Sequence, residues 1–389
     1  MLISAFPTPA SPDATGDHAD RAAALGDAFA PWAAEDDRAG AFPTRQFRRL
    51  AEERLLGLTA PTAFGGAGAG LGQAVAVIRE IGRGDPSAAL ILAMHYINLA
   101  TLPKGRWSPA LLNTVLRAGA RGALINAFRV EPDLGTPLRG GLPATIARRT
   151  PTGWSLSGRK IYSTGCEGLT WGLVWARTDE AEPRVGQFLL PLASPGVRIE
   201  RTWDTLGLRA SGSHDVVMEG VQLPLEHAAD IRPPAEWGAR SDEAAVWGTL
   251  LIGAIYTGVA EAARDWIAGF LKERAPANLG HPLADLPRVQ EQTGAIAELI
   301  ATSRRLIDSA ARDSDSGSPP TAAEAGLVKH RATENAIAAV ERALKLGGNH
   351  AIARRNPLER HLRDVLCGRI HSPQEDTILI AAGRITLDR

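Results

Sequence analysis

The sequence predicts an α+β multidomain chain: a helical block, a β-rich block, then a second helical block. Three observations predict it. Apolar residues recur at helical spacing over residues 20–58 and again in long runs after Pro233. Between Gly122 and Leu225 short β-rich runs alternate with Gly, Pro and Asp, at the roughly ten-residue spacing of an antiparallel sandwich or barrel. The 389 residues are 44% hydrophobic and 22% charged, ordinary globular proportions that supply a core and material for two or three domains.

Residues 1–20 are rich in Pro, Asp and Ala and read as an irregular arm. The N-terminal helical domain then spans 21–121. Its glycine-rich segment 60–72 reads as a turn between helices, because no strand pattern precedes it and no G-K-[ST] follows. Helices are expected over 73–82, over 85–100 with Asp85 as cap and Pro86 in the first turn, and over 108–118. The β domain spans 122–228, with strands over 123–130, 144–150, 153–164, 171–178, 185–192, 196–203 and 214–224. The C-terminal helical domain spans 229–389, its clearest helices at 244–272, 287–311, 320–346 and 356–367, with a polar loop over 313–320. No internal repeat is visible.

Charge excludes some functions. Lys and Arg number 43 and Asp and Glu also 43, so no broad field favours nucleic acid or an anionic membrane. Residues 86–103 and 244–260 lack charge, but His95, Tyr96, Asn98, Trp247, Thr249 and Tyr256 would be penalised in hydrocarbon, so both read as buried helices. The first residues carry no basic run followed by an apolar one, and a cytoplasmic protein is the expectation. Two cysteines, Cys166 and Cys367, make no disulfide framework and suit no zinc site; no metal is expected. Cys166 reads as a buried small hydrophobe.

The β block carries recognisable motifs. Glu131-Pro132-Asp133-Leu134-Gly135-Thr136 is similar to a T-E-P-x-A-G-S-D turn, and Gly158-Arg159-Lys160-Ile161-Tyr162-Ser163-Thr164-Gly165 to a G-x-K-x-W-I-T-N strand. Leu206-Gly207-Leu208-Arg209-Ala210-Ser211 followed by Val221-Gln222-Leu223-Pro224 is similar to LGxRxS…VxVP. Gly347-Gly348 and Pro357-Leu358-Glu359-Arg360-His361-Leu362-Arg363-Asp364 match a GG…P-x-E-x-x-x-R-D pair. In this order and spacing they resemble the acyl-CoA dehydrogenase superfamily of flavoproteins, over nearly the whole chain.

The resemblance implies a helical domain, a central antiparallel β-barrel and a C-terminal four-helix bundle. It implies a flavin, FAD or FMN, between barrel and bundle, and a homo-oligomer, tetramer or dimer, in which the flavin reaches a neighbour. Phe128 and Val130 would face the flavin ring, and Tyr162, Ser163 and Thr164 would lie along it. Arg274 would reach a neighbour's flavin pyrophosphate, and Gly347-Gly348 would let backbone approach the cofactor. Leu344 stands where the family tends to have Gln, which keeps FMN beside FAD.

One departure bears on the reaction. Acyl-CoA dehydrogenases need a carboxylate base for the α-proton. Its usual position, in Y-E-G-T, aligns with Ser372 of His371-Ser372-Pro373-Gln374, and its alternative position with Gly248. Instead His371 takes the Tyr position, and His95 sits on an apolar helix face. With Thr164 these resemble the flavin monooxygenase branch, exemplified by dibenzothiophene monooxygenase and nitrososynthase. Those proteins take reduced flavin from a separate reductase and form a C4a-(hydro)peroxide, which needs a hydrogen-bond donor and a dry cavity. The expectation is therefore oxygenation of a small apolar substrate, with His95, His371 and Thr164 at the reacting centre and Ser372 assisting. Tyr96, Trp171 and Trp247 are candidate substrate-lining residues. Two rivals remain: an acyl-CoA dehydrogenase with a displaced base, Glu375, and a non-catalytic partner protein that kept the fold.

Overall fold

The computed structural model describes residues 18–133, 141–237 and 242–388. Most of the expected arm, and Leu134, Gly135 and Thr136 of the β-domain turn, lie outside them.

Five helices come first: α1 (His18–Ala39), α2 (Thr44–Glu52), α3 (Leu71–Gly84), α4 (Pro86–Thr101) and α5 (Pro109–Ala120). Local chemistry starts them where the sequence indicates. The Asp85 carboxylate accepts from Ala88 N–H with Pro86 opening the first turn, and the Ser108 hydroxyl accepts from Leu111 N–H. The glycine-rich segment is indeed a connection between helices. At its end Leu71 N–H and Gly72 N–H donate to the Asp315 carboxylate at 2.7 and 2.8 Å. A Cβ on Gly70 would lie 2.4 Å from that carboxylate, so glycine is what lets it approach.

The middle block forms one sheet of β1 (Ile125–Phe128), β2 (Ile146–Thr150), β3 (Gly153–Lys160), β4 (Trp171–Thr178), β5 (Val185–Pro191), β6 (Val197–Glu200), β7 (Asp215–Pro224) and β8 (Ala228–Arg232). The order is β6-β7-β3-β2-β4-β5-β8, with β1 beside β4. Two details correct the sequence reading. The sheet does not close into a barrel, and β1 and β2 both pair parallel to β4, one along each half of it. An eighth strand also carries the sheet to Arg232, past residue 228.

Five helices follow: α6 (Asp242–Glu273), α7 (Pro287–Asp315), α8 (Ala322–Gly347), α9 (Leu358–Leu366) and α10 (Glu375–Thr386). Thr321 and Glu324 form a reciprocal capping box at the start of α8. Helix α6 is long and apolar enough to cross a membrane, yet 83% of its most apolar window is buried within the protein, against α3, α4, α7, α8 and α9. It is the axis of the main core.

The blocks join at defined points. Helix α4 packs on β1 and on the 209–211 turn. Leu208 N–H donates to Asp364 at 2.8 Å, and Arg363 bridges Asp37 on α1 and the Leu206 carbonyl.

Candidate functional site

The site is built on the end of β3. Lys160, fully buried there, donates to Glu131 Oε1 at 2.6 Å and to the Trp175 carbonyl at 2.5 Å. The Glu131 carboxylate also accepts Ala144 N–H, Thr145 N–H and Thr145 Oγ1–H. Burial pushes its carboxyl up, but the Lys160 ammonium and these donors outweigh burial and hold it below its ordinary value. Burial lowers the Lys160 ammonium against the pull of Glu131. A Cβ on Gly158 would meet Thr145 Oγ1 at 2.5 Å; glycine in β3 lets Thr145 reach the carboxylate. Pairing the charges fixes the chain on both sides of 134–140.

Beyond Lys160 the chain turns. Ile161 N–H donates to the Val130 carbonyl at 3.0 Å, holding half-buried Val130 beside the turn. Tyr162 takes a φ of +54° and leaves its ring 60% exposed, edge-on to Trp203. Ser163 is buried, its N–H on the His214 carbonyl, and its hydroxyl has no partner. Thr164 Oγ1 and Ser211 Oγ both hydrogen-bond Ser213 Oγ, at 3.0 and 2.9 Å. Asn126 Nδ2–H on β1 donates to the Thr164 carbonyl. The His214 ring accepts Trp203 N–H at Nδ1, leaving a buried, unpartnered Nε2 3.9 Å from Glu167. Burial lowers its pKa despite that carboxylate. Tyr162, Ser163 and Thr164 therefore do share one polar turn. The sequence reading missed Asn126, Ser213 and His214. The S-G-S-H run 211–214 was the available signal, but nothing local says that it folds against residues 163–166.

Phe128 does not meet expectation. Its ring is 1% exposed and packs inward, 2.3 Å from where a Cβ on Gly172 would stand.

The two histidines part company. His95 is fully buried on α4; its Nε2–H donates to the Leu56 carbonyl at 3.1 Å and its Nδ1 accepts Ile125 N–H at 3.3 Å. Both ring nitrogens are committed, and burial brings its pKa to about 4. It ties α4 to β1 and to the segment after α2, which corrects its assignment as a catalytic group. His371 lies in the loop before α10, its ring 5.9 Å from that of Tyr256 on α6. Its Nε2 is buried and unpartnered, as are Tyr256 Oη and Thr333 Oγ1. Burial, with Lys329 adding to it, lowers its pKa to about 4. The Lys329 ammonium on α8 donates to the His371 and Pro373 carbonyls at 2.8 and 3.1 Å and so clamps this loop. Ser372 is exposed. Thr164 and His371 sit in different blocks, and no hydrogen bond joins them among the described residues.

The remaining candidates scatter. Tyr96 is fully buried with its hydroxyl donating to the Leu55 carbonyl at 2.5 Å, so it is a core residue and not a cavity wall. Half-buried Trp171 packs on the smaller core around Trp107 and Leu189, whereas Trp247 packs in the main core. Arg274 stands exposed just beyond α6, its side chain without a hydrogen-bond or ion-pair partner among the described residues. Gly347 ends α8, and Gly348, at φ +52°, borders open space. Cys166 and Cys367 are buried, unlinked thiols, each pushed up to about 12 mainly by burial.

No carboxylate occupies the two positions, Gly248 and Ser372, that the resemblance assigns to the base. Gly248 has no side chain, and on the same helix Glu243 pairs with Lys104 and Glu261 with Arg304. Glu375, the displaced-base candidate, is 63% exposed in the first turn of α10 and points to His330 at 3.9 Å. That overturns its assignment as a base.

Comparison with known proteins follows the same outline. The N-terminal, middle and C-terminal domain profiles of acyl-CoA dehydrogenase match residues 19–103, 129–221 and 250–375. The putative acyl-CoA dehydrogenase YdbM of Bacillus subtilis is 33% identical over 358 residues, 91% of this chain and 92% of that one. Among solved structures, KijD3 in complex with FMN and a dTDP-amino-keto sugar superposes with a TM-score of 0.82 at 27% identity, over 96% of this chain and 95% of that one. A nitrososynthase of Micromonospora carbonacea var. africana gives 0.82 at 24% identity, over 97% and 98%.

Proposed function

The chain belongs to the acyl-CoA dehydrogenase family, and on that premise we propose that it is a reduced-flavin-dependent monooxygenase acting on a small, largely apolar substrate. One observation carries the reading. The carboxylate that desaturation requires is absent from both of the positions the resemblance assigns to it, and beside one of them stands His371, a half-buried, neutral imidazole whose Nε2 is inaccessible and unpartnered. Burial lowers the proton affinity of this imidazole, which makes it a weaker acceptor for an α-proton than an ordinary histidine. A neutral imidazole in a dry setting can give or take one hydrogen bond at an oxygen. Oxygenation asks for that, and desaturation asks for more.

The residues present fit a flavin, FAD or FMN. The buried, unpartnered Ser163 hydroxyl supplies a hydrogen bond, the exposed Tyr162 ring a face, and Arg274 a cation for phosphate in a neighbouring copy of a homo-oligomer. Bound flavin supplies the two-electron exchange that no side chain offers. The Glu131–Lys160 pair keeps the adjoining segment in register, and His371, steadied by Lys329, orients a substrate or oxygen atom. A separate flavin reductase would deliver the reducing equivalents.

The test supplies chemically reduced flavin, dioxygen and a panel of thiophenes, amines and phenols. The expected result is a product that has gained one oxygen atom, with His371→Ala diverting at least about tenfold more reducing equivalents to hydrogen peroxide. Flavin binding without any oxygenated product, or a His371→Ala variant coupled as well as wild type, overturns the proposal. The second reading, an acyl-CoA dehydrogenase, rests on the name of the Bacillus subtilis relative and requires a base other than Glu375.

A further inference from the structure

Between α1, the 205–209 turn, α6 and the start of α9 lies a cavity of about 760 Å³. None of Tyr162, Ser163, Thr164, Arg274, Gly347, Gly348 or His371 lines it. Its size suits a small molecule. Its chemistry is unbalanced. Every carboxylate in its wall is already engaged: Asp27 by Arg83, Asp265 by Arg264, and Asp37 and Glu359 by Arg363. Arg38, Arg354 and Arg355 line it with no acidic partner among the described residues.

Arg360 and His361, each 4% exposed, lie at the back of this wall, and Arg360 turns its guanidinium inward between the buried Asp364 carboxylate, at 3.4 Å, and that of Asp85, so neither is free to serve the cavity. Helix α9 also begins here, at Pro357, with no side-chain cap on its first N–H groups. Opposite stands Trp266, one face stacked on Phe270 at 5.4 Å and an interplanar angle of 11°.

A half-enclosed space lined by three arginines without an acidic partner among the described residues, at an uncapped helix start, favours an anion with several acceptor oxygens. We propose that this cavity binds a phosphate-bearing small molecule of nucleotide size, its phosphates held by Arg38, Arg354, Arg355 and the start of α9, and its planar base against Trp266. The site is separate from the flavin turn and stands whether or not the oxygenase reading does.

The test is calorimetric titration of the flavin-loaded protein with ADP, inorganic phosphate and adenosine. ADP is expected to bind and adenosine not to, with phosphate showing how much of the affinity the anion alone carries. Arg354→Gln/Arg355→Gln should loosen ADP at least about tenfold, with flavin absorbance and the circular-dichroism melt unchanged. Should that double variant fail to fold, Arg38→Gln on the opposite wall should weaken ADP in the same direction. Arg274→Gln should leave ADP binding alone. Absence of both ADP and phosphate binding, equal affinity in the folded arginine variants, or loss of binding in Arg274→Gln instead overturns the proposal.

Discussion

His95 and His371 are both neutral, for different reasons. His95 has spent its two nitrogens on Leu56 and Ile125, while His371 keeps Nε2 free of any partner. Sequence could place His95 on an apolar helix face and His371 in the Tyr position of a C-terminal loop. It could not show that residues 30 and 39 positions away close on one ring and not on the other. Both pKa values fall from 6.5 to about 4 in the folded chain. Below pH 6.5 the unfolded chain binds protons that the folded one does not, so stability is full above 6.5 and drains away as pH falls toward 4. Each group is worth about 1.4 kcal/mol per pH unit in that window. Urea unfolding at pH 7 and pH 5 should show wild type losing about 2 kcal/mol more than His95→Gln does; equal losses would contradict the satisfied-core reading. Buried Glu131 gives a sharper case. Glu131→Ala leaves the Lys160 ammonium buried without its anion, which should cost about 3–5 kcal/mol, whereas Glu180→Ala at an exposed pair should cost under about 1 kcal/mol.

Elements were legible where chemistry is local. The caps at Asp85 and Ser108 and the helical stretches that became α4, α6 and α8 follow from residues within one turn of each other. The β-runs were readable too, because alternation and turn residues are also local. What escaped is pairing. Two strands parallel to β4, an open sheet and an eighth strand depend on which distant segment arrives, and short β-runs do not encode it. The glycine-rich loop shows the same limit: its glycines make room for Asp315, more than two hundred residues later. Asp315→Ala should destabilise by about 1–2 kcal/mol through loss of this cap on α3. Gly70→Ala should cost a similar amount, and the double variant clearly less than the sum, since both break one contact. Additive losses in chemical denaturation would show that the two act apart.

Across the whole molecule, the proposed function draws on surfaces from separate blocks. The hydroxyl-rich turn belongs to the sheet and His371 to the C-terminal helices, while α4 and the Arg363 bridges hold the N-terminal block against both. Motif order made the family and its three-block architecture readable, and the absence of a carboxylate at Gly248 and Ser372 was readable as well. The enclosed Nε2 and the neutrality of His371 were not, since Tyr256 and Lys329 reach it from other helices. The most direct measurement is anaerobic titration of the flavin-loaded protein with short, medium and aromatic acyl-CoA thioesters, followed by visible absorbance. The proposed reading leaves no base for the α-proton, so on it the oxidised flavin band should persist unchanged throughout. Prompt bleaching by any of these thioesters would mean that α,β-desaturation proceeds here, and would contradict the central claim.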